Sequence, residues 1–323
     1  MWKYVLKRLF WLIIISICVA ILIFSIMWFV PGDPAQIMLA GTGTQAEIDA
    51  LRDRLGLSDP YLVQLGRFLY NAFIRFDLGD SYVYKVPVIV ELGHRFPRTL
   101  ILGLLTMIIS SGIGIPLGIN AAMNRNKFQD QGVLVFSMIF ISVPQFWIAL
   151  EMMILFAVKL RWLPTSGIDS WKCWIMPVLS GALSGIAMNA RQSRSAVLET
   201  IRADFVTTAR AKGVREQKVI YKHMLPNALM PIINGLGNTV CTMVSGSVII
   251  ETVFAFPGVG TYMMSAIGGR DYPVVRGCVL MLAIFAAVVN LIVDLIYGYL
   301  DPRIKAQYVN YGSRGAGRKG ASA

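Results

Sequence analysis

Residues Leu9 to Val30 form a run of 22 amino acids interrupted only by Ser16 and Ser25. As a helix such a run spans about 30 Å, the thickness of a bilayer's hydrocarbon core. Inside lipid every backbone polar group must be satisfied within the protein, so a chain built on runs of this kind is restricted to membrane helices. Five more stretches read the same way: Leu100–Ile119, Val133–Val158, Trp174–Ala190, Ala228–Ile250 and Gly277–Leu300. With 56% hydrophobic and 15% charged residues, the 323-residue chain is too apolar for an ordinary soluble domain. The expected fold is an all-α polytopic membrane protein with six transmembrane helices.

The first run exceeds the apolar core of a signal peptide and has no small-residue cleavage site, so it reads as a retained helix. Lys3, Lys7 and Arg8 put the N-terminus in the cytoplasm, and six spans return the C-terminus there, where Lys305, Arg314, Arg318 and Lys319 agree. The expected organisation is 1–30 (cytoplasmic N-terminus and first helix), 31–98 (extracytoplasmic insert), 99–300 (five-helix core) and 301–323 (cytoplasmic tail). Within the insert, Ala46–Leu57 has helical periodicity that stops near Gly56, and Tyr61–Phe73 reads as a second amphipathic helix. Glu251–Arg276 is too irregular for another span and reads as an outer segment.

Several intramembrane residues invite a functional reading. Asn234, Asn238, Thr242 and Ser245 recur at helical spacing and form one polar stripe, facing either a partner helix or a water-filled path. Glu151 and Asp294 are charges within spans. An acid at a helix centre costs roughly 2.5–3.5 kcal/mol, so Glu151 either serves a function, snorkels to an interface or pairs with a neighbour. Gly114 and Gly118 form a G-x-x-x-G pair that suits close helix packing. The fourth run, with Pro177, Gly181, Ser184 and Gly185, suits a helix packed among protein neighbours.

Other chemistry is missing from the sequence. Cys18, Cys173, Cys241 and Cys278 are isolated, only His94 and His223 accompany them, and no metal site is expected. There is no G-x-x-x-x-G-K-[ST], G-x-S-x-G or H-E-x-x-H string, so the chain reads as no enzyme and as binding no cofactor of its own. The net charge of +12 belongs to cytoplasmic loops, not to a nucleic-acid site.

That charge concentrates in Arg191–Lys222, which holds eight Lys or Arg against three acids. Within 203–226, Phe205, Val206, Ala209, Val214, Val219 and Ile220 alternate with Arg210, Lys212, Arg215, Lys218 and Lys222. The pattern fits two short amphipathic helices broken at Gly213, with Pro226 in the first turn of a third.

This segment resembles the EAA loop of ABC-importer permeases, in which E-A-A is followed by three residues, G, nine residues and I-x-L-P. Thr207, Thr208 and Ala209 stand at E-A-A, Gly213 at the glycine, and His223-Met224-Leu225-Pro226 at I-x-L-P. Thr207 and His223 replace the usual Glu and Ile. PGDP, RLGLSDP, DLGDS, FPRTL, WLPTSG, ETVFAFPGVG, RDYPVV and DPR extend the resemblance along nearly the whole chain, to the dipeptide, oligopeptide and nickel branch. Phe76 departs from it, standing where that branch has a glycine before DLG.

The resemblance implies the type I ABC-importer permease fold, a second homologous permease chain, two ATPase subunits that bind ATP and Mg²⁺, and an extracytoplasmic solute-binding protein. The solute would be a di- or oligopeptide, glutathione or nickel. Thr207, Thr208, Ala209, Arg210, Lys212, Gly213, His223, Leu225 and Pro226 would couple to the ATPases, and the polar stripe would line the path. Two alternatives compete: an ion-coupled secondary transporter using Glu151 or Asp294, and a membrane scaffold, which leaves the coupling-loop spacing unexplained.

Overall fold

The computed structural model describes residues 2–39, 43–229, 231–232 and 247–300. Its regular elements are helical: α1 (Trp2–Phe29), α2 (Pro34–Met38), α3 (Gln45–Leu55), α4 (Tyr61–Tyr70), α5 (Val88–Met123), α6 (Phe128–Ser142), α7 (Gln145–Met152), α8 (Lys172–Ile201), α9 (Asp204–Ala211), α10 (Glu216–Lys218), α11 (Val259–Gly268) and α12 (Tyr272–Leu300). Three of them, α4, α7 and α10, continue into π-helical turns at Asn71–Arg75, Met153–Lys159 and Val219–Met224.

Helices α1, α5, α8 and α12 are long and apolar enough to cross a membrane. The expected third span, Val133–Val158, is not one straight helix. Its two halves, α6 and α7, meet at 97°. Pro144 is the cause: its ring forces Val143 out of the helical region, to φ −79° and ψ 128°. The described residues therefore hold four spans, or five if the bent pair makes one, against the six expected. Most of the expected fifth span, Ala228–Ile250, lies outside the described residues.

The chain divides into two compact units, residues 1–90 with 266–323, and residues 91–265. In the first, α1 and α12 run antiparallel. Phe24 faces Arg276, while Ala20 shares a cluster with Leu280 and Ile284. Phe68 and Phe73, from α4 and its π turn, pack into the same cluster. Helix α3 starts with a capping box between Thr44 and Glu47 and ends at Gly56, whose φ of +66° closes it as expected. Asp271 joins the start of α12 to the 81–83 loop: it accepts from Ser81 Oγ at 2.5 Å, Tyr82 N at 3.0 Å and Val83 N at 3.3 Å.

In the second unit α8 is central. Its most apolar window is 56% buried, against 22–28% for the other three spanning helices, as its small residues imply. A Cβ on Gly114 would lie 2.7 Å from the Ile186 carbonyl oxygen, and one on Gly118 would overlap that of Ala190. The G-x-x-x-G pair thus brings α5 against α8. Helix α5 begins at Val88, well before Leu100, and Glu91 and Arg95 pair along its first turns at 3.1 Å.

Candidate functional site

The basic segment forms a helix–turn–helix seated on the second unit. Helix α9 buries Val206 and Ala209; the following turns bury Val219 and Met224. These pack with Ala122 of α5, Val197 of α8 and Ala228 into one cluster, joined by half-buried Val214, Ile220 and Leu225. Phe205, which the sequence placed on the apolar face, is instead 44% exposed.

The turn is closed from both ends. Gly213 has φ +73°. Its N–H donates to the Arg210 carbonyl at 2.9 Å, and the Val214 N–H reaches back to Ala209 at 3.3 Å. Those bonds define a Schellman cap, in which only a residue without Cβ avoids strain. Across the turn, Arg210 Nη2 lies 2.6 Å from Glu216 Oε1 and Nε lies 3.2 Å from Oε2. This hydrogen-bonded pair raises the guanidinium's affinity for its proton and lowers that of the carboxylate.

Thr207, Thr208, Arg210 and Lys212 are exposed on one side, together with Arg215, Lys218 and Lys222. Ala209 faces the core and seats the helix. His223 is half-buried in the π turn, and Leu225 packs on the core. Pro226 does not open a new helix, because helical geometry runs unbroken from 216 to 229. The π turn ahead of it widens the helix where the proline ring and its missing N–H would disrupt an α-turn. Asn227 Nδ2 donates to the His223 carbonyl at 2.7 Å and supplies that turn with a donor.

The other candidate residues do not join this site. Asn234, Asn238, Thr242 and Ser245 lie outside the described residues, as does the Asp294 side chain. Glu151 is exposed on α7, beside a recess of about 300 Å³ lined by Phe140, Trp147, Leu155, Lys159 and Leu183.

Two buried acids of the second unit went unremarked in the sequence. Asp130, at the start of α6, takes a bidentate contact from Arg194 of α8, Nε to Oδ1 and Nη2 to Oδ2, and also accepts from Asn126 N. The pair stands a short way along α8 from the basic segment. Glu251 is fully enclosed. Its carboxylate accepts from Thr99 Oγ1 (2.7 Å), Ser247 Oγ (3.2 Å), Gly260 N (2.7 Å) and Thr261 N (3.2 Å). The only local signal for it was the G-x-G at Gly258 and Gly260, where side chains would strike that carboxylate.

Residues 114–306 match the family model for the binding-protein-dependent transport system inner membrane component, and residues 1–103 match the model for the N-terminal region of such membrane components. A Brucella abortus (strain 2308) protein named as a peptide transport system permease is 40% identical over 310 residues, covering 93% of this chain and 98% of that protein. The glutathione transport system permease protein GsiC of Salmonella paratyphi A is 38% identical over 306 residues, covering 94% and 99%. Among solved structures, a chain of the inward-facing MetNI methionine ABC transporter superposes with a TM-score of 0.57 at 20% identity, over 66% of this chain and 97% of that one. An amino acid ABC transporter chain gives 0.55 at 15% identity, over 65% and 94%.

Proposed function

The chain belongs to the family of binding-protein-dependent transport system inner membrane components, and from that membership we propose that it forms one half of the translocation path of an importer for peptides or glutathione. It is a multi-pass membrane protein and an ABC importer permease of the peptide branch. Importers of this kind work with ATPase and substrate-binding partners. We assign this one a second homologous permease, two ATPase subunits that bind ATP and Mg²⁺, and an extracytoplasmic binding protein. The chain itself carries no catalytic group or cofactor in this reading. Both termini are cytoplasmic, six helices span the membrane, and residues 31–98 form the extracytoplasmic insert. The names of the relatives favour peptides or glutathione over nickel.

One observation carries the coupling role: the basic helix–turn–helix is rooted by Val206, Ala209, Val219 and Met224 in the same cluster as α5 and α8. A push on its outer face therefore reaches two spanning helices without an intervening flexible joint. Thr207, Thr208, Arg210 and Lys212 present polar contacts to the ATPase, while exposed Phe205 and Tyr221 provide apolar anchors of the kind that dominate interface energetics. ATP-driven closure of the ATPase pair then moves the segment as one body, and the spans alternate between facing inward and outward. Asn234, Asn238, Thr242 and Ser245 line the path between the permeases. An ion-coupled mechanism gains nothing from Glu151, which is exposed and not held in a buried ion site.

An affinity pull-down of the tagged chain from its native membrane, cross-linked before extraction, tests this reading. Recovery of a P-loop ATPase and a second permease is expected. Recovery of the cross-linked chain alone would contradict it.

A further inference from the structure

Where α1 ends and α12 begins, residues of the first unit line an open cavity of about 710 Å³. That volume falls within the range of roughly 300–1,000 Å³ typical of small-molecule sites. Phe24 and Trp28 of α1, Leu57 and Gln64 from the α3–α4 region, Tyr82, and Arg276 on the first turns of α12 line it.

Lys85, Asp77 and Asp80 also line the cavity, and its three arginines differ in how they are neutralised. Arg52 pairs with Asp33 at 2.8 Å and Arg67 with Asp59 at 2.5 Å. Arg276 has no carboxylate within ion-pair distance among the described residues. Its Nε donates to the Tyr272 carbonyl at 3.3 Å, and its guanidinium carbon lies 5.0 Å and 5.4 Å from the ring centroids of Phe68 and Phe24. The Tyr82 hydroxyl is its other polar neighbour. Burial raises the pKa of that hydroxyl, so Tyr82 stays neutral and provides no counter-charge. Asp271, close by in sequence, is engaged by Ser81, Tyr82 and Val83.

A guanidinium keeps its charge in any protein environment, and aromatic faces compensate only part of the cost of enclosing it. The missing element is an oxyanion, which guanidinium binds through paired N–H donors. The aromatic and aliphatic wall beside Arg276 suits an apolar body attached to that anion. We propose that this cavity is a binding site for an amphipathic ligand bearing a carboxylate or phosphodiester, with the oxyanion held by Arg276. The same chemistry has two sources. A phospholipid headgroup would enter from the bilayer along α1, whose Trp28 lines the cavity and is partly exposed. A small solute would bring a free carboxylate from water.

The test is titration calorimetry on the full transport complex in non-ionic detergent, independent of uptake. The probes are dihexanoylphosphatidylglycerol, the dipeptide alanylalanine and an uncharged dihexanoyl diglyceride. At least one oxyanion probe should bind saturably, about tenfold or more weaker to Arg276→Gln and severalfold weaker to Arg276→Lys, with no comparable binding of the diglyceride. Loss confined to phosphatidylglycerol identifies lipid as the source; loss confined to the dipeptide identifies a solute. Absence of binding by both oxyanions, or equal affinity in Arg276→Gln, overturns the assignment. If Arg276→Gln does not assemble, Arg276→Lys decides, and unchanged affinity in that variant overturns it.

Discussion

Thr99 of α5 and Glu251, 152 positions apart, share a 2.7 Å hydrogen bond in which the hydroxyl donates to a fully buried carboxylate. The same hydroxyl oxygen accepts from Val259 N at 2.9 Å. One threonine thus links α5 to the acid and to the first turn of α11, whose amides the acid holds. With Ser247, Gly260 and Thr261 completing the set, four donors face two carboxylate oxygens, which matches their accepting capacity.

Removing that carboxylate strands four donors, three of them in buried hydrogen bonds. Glu251→Ala is expected to destabilise the protein by about 3 kcal/mol or more, since each unsatisfied buried group costs roughly 1–3 kcal/mol. Glu251→Gln keeps one acceptor for the backbone N–H groups and turns an NH₂ toward hydroxyls that can rotate, so about 1–2 kcal/mol is expected. Thermal unfolding followed by a thiol-reactive dye in a Cys18→Ser background would measure both, because Cys18 is exposed while Cys173 and Cys278 are buried until the fold opens. Equal midpoints for Ala, Gln and wild type would remove Glu251 from the anchoring role.

Phe76 adopts φ +54°, the left-handed region where side chains other than glycine, Asn and Asp are strained. It closes the π turn after α4 and is 74% exposed, so its ring contributes little packing to offset that strain. Phe76→Gly is expected to raise stability by up to about 1 kcal/mol, the relief of 1–2 kcal/mol being partly offset by glycine's greater freedom in the unfolded chain. A higher melting midpoint in the same thiol assay is the expected result. A lower one would mean that the exposed ring is held by a contact beyond this chain.

How far the sequence foretold these features depends on the range over which each is determined. The apolar runs and the Gly213 turn are legible because lipid and backbone sterics act on neighbouring residues. Even the glycine expected at 76 is explained by the angle Phe76 adopts. Glu251 was not legible because its partners come from positions 99, 247, 260 and 261 and meet only in the folded unit. Arg276 read as the edge of an outer segment, since the aromatic faces beside it belong to α1 and α4. The start of α5 was not legible because its first turns carry Glu91, His94, Arg95 and Arg98, and the apolar run begins only near Leu100. Pro144 lay in plain view, but a hydropathy run does not say whether a proline kinks a helix or folds it through 97°.

The Arg210–Glu216 pair has a predictable pH window. Hydrogen bonding to Arg210 holds the Glu216 carboxyl below its ordinary 4.5. The unfolded chain therefore binds that proton more tightly, and the pair's contribution is present above about pH 4.5 and lost as pH falls through the lowered folded value. Both side chains are exposed, at 40% and 54%, so the contribution is under about 1 kcal/mol and shrinks with salt. Hydrogen exchange at the Gly213 and Val214 amides should be equally protected at pH 6 and 8 once corrected for intrinsic rates, and slightly less protected in Glu216→Gln. A marked loss of protection between pH 6 and 8 would assign the turn's closure to another titrating group.

At Gly213 the backbone and side-chain demands can be separated. A Cβ there would meet nothing within 4 Å, so no clash within the chain forbids a larger residue. The φ of +73° does. Asn enters that region most readily, Ala costs about 1 kcal/mol, and β-branched Val costs more. If the cap's geometry is what aligns α9 with the turns that follow, ATP-dependent uptake should fall in the order Gly213, Asn, Ala, Val, while the amount of chain in the membrane stays level because the segment's core residues are untouched. ATPase co-purification should follow the same order. Equal losses for Asn and Val would point to crowding by the docked partner, because only a steric cause ignores backbone preference. Full activity in Gly213→Val would mean that the turn need not be closed for the stroke to reach α5 and α8.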